Sequence, residues 1–348
     1  MTKIPDANIF CRTADPANPY LELAELREKE ALGSLCGIAA VLYRRLEDSQ
    51  EKPVGFQLRE MLQAMRHRGT DSTGVTIAGE HFDSDYVMRL FIPDQRADQE
   101  TVVREIRKSI ADNGGEVSSL ASRGSFYRVG VYFRGNLRTL ADSILATGHA
   151  EIHSIGRCSE VIKDVGDARE LDEKHAISKI GGTHGVGHVR LATESMVDIG
   201  HSHPFWAYPF PDISVVHNGQ LTNYHEMKRK FEQRGFHFQT RNDSEVISVY
   251  IADKLSQGQK LRDVLYESLD DLDGTFTYVV STESGIGMAK DRWSAKPFVV
   301  YETDEMVAAA SEEVALRRVF PDGLDRFEPQ ENQVLTWNVS VAPVIRGR

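Results

Sequence analysis

The order of the predicted strands and helices constrains the fold more than any single residue does. Short apolar runs with strand character begin at Ile38 to Tyr43, return after Gly181-Gly182 and dominate after about residue 275. A group of segments with helical spacing of apolar residues, from 224 to 271, lies between the later strands. Strands that cluster in this way, with helices grouped between them, favour two sheets covered by helices over an alternating doubly wound fold. The predicted fold class is therefore α+β.

The individual elements follow from the same periodicities. We predict a leader helix from Asn18 to near Gly33, with Asn18 at the cap and Pro19 at the first helical position. Further helices are predicted over 57–65, 99–111, 137–147, 224–234, 244–255, 261–271 and 312–319. Strands are predicted over 38–43, 74–78, 86–92, 126–133, 151–155, 185–190, 213–217, 275–281, 286–290, 298–301, 306–310 and 333–337. The segment from about 85 to 180 is interpreted as an inserted α/β subdomain.

Charge and cysteine content narrow the class of protein. The net charge of -11 comes from acidic residues spread along the chain, which argues against nucleic-acid and anionic-membrane partners. Cys11, Cys36 and Cys158 are too few and too scattered for a disulfide framework or a zinc site. Met1 to Phe10 lacks the basic start and apolar core of a signal peptide, and no stretch approaches about 20 apolar residues, so we expect neither export nor a membrane span. These features favour a reducing compartment, and we expect the protein to be cytoplasmic.

Cys36 allows two interpretations. A lone cysteine before an apolar strand is by default a buried small hydrophobe. No histidine flanks Cys36 as a base, but cleavage of the chain before it would place its own α-amine within reach of the sulfur. In that case Cys36 is an N-terminal nucleophile.

Two arginines can likewise each be interpreted as a functional or as a structural residue. Arg68 lies in the glycine-bracketed segment from 66 to 74, where it could brace a site near Cys36 or simply belong to a solvated helix end. Arg190 ends a predicted strand, where it could grip a substrate carboxylate in two parallel hydrogen bonds or pair with an acid of the protein. The neighbouring His188 is interpreted as a packed strand histidine rather than a base.

Two further segments complete a set of complementary groups. Asn218-Gly219 follows a strand and could donate hydrogen bonds to a developing oxyanion, although Asn-Gly is also the commonest hairpin signature. Asp243 opens a helix and could cap it or bind a substrate ammonium group. A thiol, a donor pair, an arginine and an aspartate together suit a free amino acid with an acyl side chain, and glutamine fits that description.

With these residues in view, the sequence resembles the class II glutamine amidotransferases, which are N-terminal-nucleophile hydrolases. Five segments recur in family order: Cys36-Gly37-Ile38, Arg68 to Gly74, Gly187 to Thr193, His217-Asn218-Gly219 with Asn223, and Asn242 to Glu245. A weaker sixth segment runs from Ala289 to Pro297, so the resemblance covers Cys36 to about Pro297.

The resemblance implies a four-layer αββα sandwich and a role for each matching residue. Cys36 would attack the glutamine carboxamide, with Asn218 and Gly219 as the oxyanion hole. The implied substrate-binding residues are Arg190, Thr193, His203 and Asp243, and Arg68 would support the nucleophile's end of the site. The resemblance implies neither a metal nor a cofactor in this chain, which also lacks an iron-sulfur cysteine set and a Gly-rich dinucleotide fingerprint.

Residues 1–35 resemble the leader, or propeptide, of glutamate synthases, which is removed autocatalytically, and 36–348 would form the amidotransferase domain. We expect a stand-alone glutaminase subunit that passes ammonia to a separate flavin-containing synthase subunit, as in a glutamate synthase-like or N-methylglutamate synthase-like complex. One alternative is a non-catalytic regulatory or structural subunit that retains its leader. Another is a cysteine-type amide hydrolase of the same superfold with a different substrate.

Overall fold

The computed structural model describes residues 36–49, 52–93, 99–191, 198–320 and 323–340. The predicted leader helix and the predicted pocket residue Thr193 lie outside these ranges. Sixteen strands and eight α-helices lie within them.

The strands are β1 (Gly37–Tyr43), β2 (Ser72–Ala78), β3 (Tyr86–Phe91), β4 (Glu116–Arg123), β5 (Phe126–Tyr132), β6 (Glu151–Gly156), β7 (Ser159–Val165), β8 (His184–Arg190), β9 (Phe205–Trp206), β10 (Ser214–Leu221), β11 (Gly274–Thr282), β12 (Gly285–Lys290), β13 (Val299–Glu302), β14 (Met306–Ala310), β15 (Arg326–Phe327) and β16 (Val334–Asn338). The helices are α1 (Val54–Ala64), α2 (Gln99–Asp112), α3 (Leu137–Leu145), α4 (Ala168–His175), α5 (Tyr224–Gln233), α6 (Asp243–Ser256), α7 (Leu261–Asp271) and α8 (Glu313–Val319).

Two antiparallel sheets form the centre of the protein. The first has seven strands in the order β15-β13-β14-β1-β8-β2-β7, and the second has five in the order β16-β12-β11-β10-β9. Side chains from β1 and β8, including Ile38 and Val186, share a buried cluster with Val216 and Met288 of the second sheet. The two sheets therefore pack face to face, with an apolar layer between them.

Helices cover the outer faces of both sheets. Side chains alternate between the two faces of a strand, so Ala39 and Val41 of β1 point away from the second sheet and pack with Leu58 of α1 and Leu316 of α8. On the other side, α6 and α7 share a core with β10 and β11. Helix, sheet, sheet and helix thus form four layers, which confirms the predicted αββα sandwich.

A third sheet lies outside this sandwich. Its four strands have the order β4-β5-β3-β6, and a separate apolar cluster joins them to α2 and α3. The structure places β7 in the seven-stranded sheet and packs α4 against α1, although both fall within the predicted insert at 85–180. The boundaries of the insert remain a prediction.

Candidate active site

Cys36 lies immediately before β1, in the middle of the seven-stranded sheet. The residue is 9% exposed, and its sulfur is 3.8 Å from the carbonyl oxygen of Leu191, at the end of the neighbouring strand β8. Burial at the start of a central strand holds the backbone of Cys36 in a fixed position.

Two side chains from distant parts of the chain donate to the backbone carbonyl of Cys36. Arg68 Nε and Asn218 Nδ2 each lie 2.9 Å from this oxygen. Arg68 is buried, and its guanidinium also forms an ion pair with Glu312 at the start of α8. The predicted brace and the predicted donor therefore meet at Cys36.

The amide of Asn218 is held at both ends. His188 Nε2 is 2.9 Å from Asn218 Oδ1, and Asn218 Nδ2 is 3.2 Å from Ser311 Oγ. Burial lowers the pKa of His188 to about 3, so the ring is neutral and Nε2 donates to the amide oxygen. Both hydrogens of Asn218 Nδ2 have acceptors, Cys36 O and Ser311 Oγ. To donate to a substrate oxyanion, the amide must give up one of them.

Gly219 departs from ordinary strand geometry. Its φ is 140°, and a Cβ atom at this position would lie 1.9 Å from the carbonyl oxygen of Thr275 on β11. Strand β10 continues through Asn218 and Gly219 to Leu221, so the prediction that the strand ends at His217 was wrong. The Asn-Gly pair forms neither a hairpin turn nor a strand end, because β11 pairs with β10 along this whole segment.

A second group of predicted residues surrounds Ser244. His203 Nε2 and His217 Nδ1 are each 3.0 Å from Ser244 Oγ, and both histidines are buried. The rings of His203 and His188 lie 4.0 Å apart between centroids. Buried polar side chains thus form a continuous series of contacts that begins at the Cys36 carbonyl and ends in the first turn of α6. The series consists of Asn218, His188, His203 and Ser244.

Asp243 is the first residue of α6 but does not cap it. The cap is Asn242, whose side chain accepts from the backbone N–H of Ser244 at 2.9 Å. Asp243 Oδ2 instead accepts from the N–H of Leu221 at 2.9 Å. Burial acts to raise the pKa of Asp243, but nearby His217 and this N–H act to lower it, and the net shift is downward. Asp243 is therefore a carboxylate at neutral pH.

Arg190 is the last residue of β8 and is 6% exposed. Its backbone pairs with Ser72 on β2, the strand that follows the segment of Arg68. The charge of Arg190 helps to lower the pKa of both His188 and His203, so its guanidinium lies close to these rings. Arg190 and Asp243 carry the opposite charges that a zwitterionic ligand requires.

The second described cysteine has a different environment. Cys158 Sγ is 3.6 Å from Asp212 Oδ1, and burial together with this carboxylate raises the pKa of the Cys158 thiol far above its usual range. Cys158 is held as an unreactive thiol, which leaves Cys36 as the candidate nucleophile of the described residues.

Sequence analysis did not identify every contributor to this arrangement. It interpreted His188 as a packed histidine, which is correct, but missed its hydrogen bond to Asn218. It did not identify Ser244, Ser311 and Glu312 as contributors. Ser244 directly follows Asp243 and could have been found as a neighbouring hydroxyl, whereas nothing in the local sequence relates Ser311 and Glu312 to Cys36.

Within the described ranges, no group of three or more His, Cys, Asp or Glu side chains is arranged to hold a metal ion. No described helix is long and apolar enough to cross a membrane. The expectation that this chain carries no cofactor stays a prediction.

Comparison with known proteins adds sequence relatives over nearly the whole chain. Residues 188–318 match the glutamine amidotransferase domain family. The chain is 37% identical over 305 residues to a candidate glutamine amidotransferase of Methanothermobacter thermautotrophicus, covering 86% of this chain and 99% of the relative. It is 33% identical over 309 residues to the glutamine amidotransferase-like protein GlxB of Rhizobium meliloti, covering 87% and 98%.

The fold is similar to that of a solved structure, the glutamine phosphoribosylpyrophosphate amidotransferase of B. subtilis in complex with ADP and GMP. The TM-score is 0.55 at 19% identity, and the match covers 87% of this chain and 47% of that chain. The present chain therefore spans about half the length of that solved structure.

Proposed function

The chain belongs to the class II glutamine amidotransferase family, and from this premise we propose that it hydrolyses L-glutamine at Cys36 and transfers the ammonia to a partner subunit. The observation that carries the proposal is the meeting of Arg68 and Asn218 at the Cys36 carbonyl, from positions 32 and 182 residues away along the chain. Such long-range convergence on one cysteine is the expected geometry of a reaction centre rather than of a buried hydrophobe.

In the proposed reaction the Cys36 thiol loses its proton to its own free α-amine and attacks the carboxamide carbon of glutamine. The resulting oxyanion accepts hydrogen bonds from Asn218 Nδ2 and the Gly219 N–H. Collapse of this intermediate breaks the C–N bond, the α-ammonium returns its proton to the leaving nitrogen, and ammonia departs. Water then hydrolyses the thioester, which releases glutamate and restores the thiol.

We assign the rest of the site to substrate binding. Arg190 pairs with the substrate α-carboxylate and Asp243 with the α-ammonium, and the family resemblance assigns Thr193 and His203 to substrate binding as well. Burial holds the pKa of His203 well below its ordinary value. A neutral His203 adds no positive charge close to the substrate ammonium. Arg68 acts through Cys36, by fixing the backbone that carries the sulfur.

The proposal requires cleavage of the Leu35–Cys36 bond, since the amine is otherwise part of a peptide bond and cannot take a proton. Intact-mass measurement of the purified protein and a glutaminase assay test this requirement together. We expect a chain that begins at Cys36 and releases glutamate from glutamine. Cys36→Ser should abolish the activity, and Cys158→Ser should retain it. Retention of residues 1–35 together with no glutamine hydrolysis would instead favour the non-catalytic subunit.

We also propose that the ammonia acceptor is a flavin-containing synthase subunit of a glutamate synthase-like or N-methylglutamate synthase-like complex. The support is the resemblance of the leader and the amidotransferase segments to those of glutamate synthases. Purification of the tagged chain from its native host should recover a flavoprotein, and the recovered complex should consume glutamine faster when its synthase substrate is supplied. Recovery of the active chain alone would contradict this part of the proposal without affecting the glutaminase assignment.

A further inference from the structure

Strand β8 carries two buried histidines, His184 and His188, which are four residues apart and therefore lie on the same face of the sheet. His184 Nε2 is 2.8 Å from the carbonyl oxygen of Thr282, and His188 Nε2 is 2.9 Å from Asn218 Oδ1. Thr282 belongs to β11 and Asn218 to β10, so each ring connects the seven-stranded sheet to the five-stranded sheet. The two histidines make the same kind of bridge, but the bridge from His188 ends on a residue of the proposed oxyanion hole.

The orientation of the Asn218 amide decides whether it can serve as an oxyanion donor. Its Nδ2 faces the Cys36 carbonyl oxygen at 2.9 Å and Ser311 Oγ at 3.2 Å. Rotation of the amide by 180° would place Oδ1 against the Cys36 carbonyl oxygen, where two acceptors repel each other, and would turn the NH₂ group away from Cys36. The amide can therefore donate at the reaction centre in one of its two orientations.

Turnover weakens the contacts that select this orientation. Both hydrogens of Asn218 Nδ2 are engaged, so a substrate oxyanion must take one of them from the Cys36 carbonyl or from Ser311 Oγ. The hydrogen bond from His188 is made to the opposite end of the amide. This bond is not exchanged when the oxyanion forms, and it can hold the amide throughout that step.

The His188 ring is fixed in place and in a state suited to this role. The residue is 1% exposed, its backbone pairs with Ile38 and Gly74 on the two neighbouring strands, and its ring centroid is 4.0 Å from that of His203. Burial lowers the pKa of His188 to about 3, so the ring is neutral and carries one N–H. With this hydrogen on Nε2, the ring donates to Oδ1, whereas a rotated amide would set its NH₂ group against the ring N–H.

We propose that His188 is a positioning residue of the glutamine hydrolysis, whose Nε2–H holds the Asn218 amide in its donor orientation while one amide hydrogen passes to the oxyanion. The inference rests on the proposed function, because it assigns His188 a part in the oxyanion hole of that reaction. His188 acts through Asn218 and needs no contact with glutamine. Loss of its N–H should therefore lower kcat and leave KM nearly unchanged.

Steady-state glutamate release by the purified chain that begins at Cys36 tests the proposal. His188→Leu removes the donor at similar side-chain volume and should lower kcat by about 10- to 100-fold, with KM within about threefold. His188→Gln keeps a neutral N–H at a similar reach from the backbone and should keep kcat within about threefold of the unmodified chain. His188→Asn also carries a neutral amide but is one methylene shorter, so it should behave as His188→Leu does. The two amide variants give the same comparison if the leucine variant does not fold.

His184→Leu is the matched control. His184 is 0% exposed and loses a comparable bridge to the second sheet, but it pairs with Leu42, whereas His188 pairs with Ile38, near Cys36. His184→Leu should lower the urea midpoint of unfolding, as His188→Leu does, and keep kcat within about threefold of the unmodified chain. This pair separates the loss of a buried hydrogen bond from the loss of amide positioning.

A double-mutant cycle then tests whether His188 acts through Asn218. Once Asn218→Ala has removed the amide, adding His188→Leu should change the residual kcat by less than about threefold. A further 10-fold or larger fall would show that His188 acts elsewhere and would overturn the proposal. Equal kcat values in His188→Leu and His184→Leu, or in His188→Gln and His188→Asn, would also overturn it. These results require an active unmodified chain, whereas an unmodified chain that begins at Cys36 and releases no glutamate would refute the proposed function itself.

Discussion

Replacement of Arg68 by methionine tests whether the backbone of Cys36 is held by the contacts that the structure shows. The substitution removes the donor at 2.9 Å from the Cys36 carbonyl and the ion pair with Glu312, and keeps most of the side-chain volume. Glu312 keeps a second partner, His67, at 2.9 Å. The Cys36 carbonyl therefore loses one of its two side-chain donors, whereas Glu312 remains paired.

The expected cost follows from burial. A hydrogen bond from a charged donor to a buried carbonyl contributes about 1.5–3 kcal/mol. The ion pair adds up to about 1 kcal/mol, because the Glu312 side chain is 29% exposed and partly screened. Urea unfolding of Arg68→Met should therefore show a loss of roughly 1.5–4 kcal/mol in the free energy of unfolding. Arg318→Met is the matched control, since Arg318 pairs with Glu60 at 2.7 Å but its side chain is 58% exposed, and should cost less than about 1 kcal/mol.

The kinetic consequence separates a positioning role from a purely structural one. Arg68 contacts the residue that carries the nucleophile, so its loss should lower kcat of glutamine hydrolysis by about 10- to 100-fold and leave KM within a few-fold. Glutamate release at saturating and limiting glutamine measures both constants. If Arg68→Met matches Arg318→Met in stability and in kcat, the reasoning about Cys36 is wrong.

Three further predictions concern substrate binding, pH and backbone geometry. Arg190→Ala should raise the KM for glutamine by about 100-fold or more through loss of a paired carboxylate contact, and an unchanged KM would remove Arg190 from the site. Burial lowers the pKa of His184 to about 4, so the unfolded chain, with a pKa near 6.5, takes up the proton first as the pH falls. The stability from neutral His184 is complete above about pH 6.5 and is lost between there and pH 4, by about 2 kcal/mol at pH 5. When the free energy of unfolding in urea is measured against pH, His184→Gln should lose about 2 kcal/mol less than the unmodified chain on going from neutral pH to pH 5. An equal loss in both proteins would contradict the assignment. Gly219→Ala should destabilise the protein by more than about 2 kcal/mol, against about 1 kcal/mol or less for Gly235→Ala, whose φ is also positive but whose Cβ would meet nothing within 4 Å. Equal losses would refute the close approach at Gly219.

The sandwich could be predicted because its central strands carry strong local patterns. The run from Ile38 to Tyr43 is apolar on both faces, as expected of a strand buried between a sheet and a helix. Strand β4 was missed because Glu116–Arg123 is polar and largely exposed, so no apolar alternation marks it. Helix α4 is strongly polar, and its one clear signal is the capping box of Asp167 and Glu170. The buried strand β7 was also missed, because Ser159–Val165 includes Glu160, Lys163 and Asp164. Local periodicity therefore predicts apolar elements well and polar ones poorly.

The candidate site likewise has features that the sequence predicts and features that it does not. Segments rich in unusual residues, such as those around Arg68 and Asn218, could be selected from the sequence as parts of one site. Their meeting at the Cys36 carbonyl depends on the register of β1, β8 and β10, which tertiary packing determines.

The central claim is that Cys36 becomes the nucleophile once its α-amine is free. Labelling with a glutamine analogue that carries an electrophilic diazo ketone in place of the carboxamide, followed by intact-mass and peptide mapping, tests this claim most directly. We predict one adduct per chain, on the sulfur of Cys36, in chains whose first residue is Cys36. Adduct formation on Cys158, or on Cys36 in chains that still carry residue 35, would contradict the account.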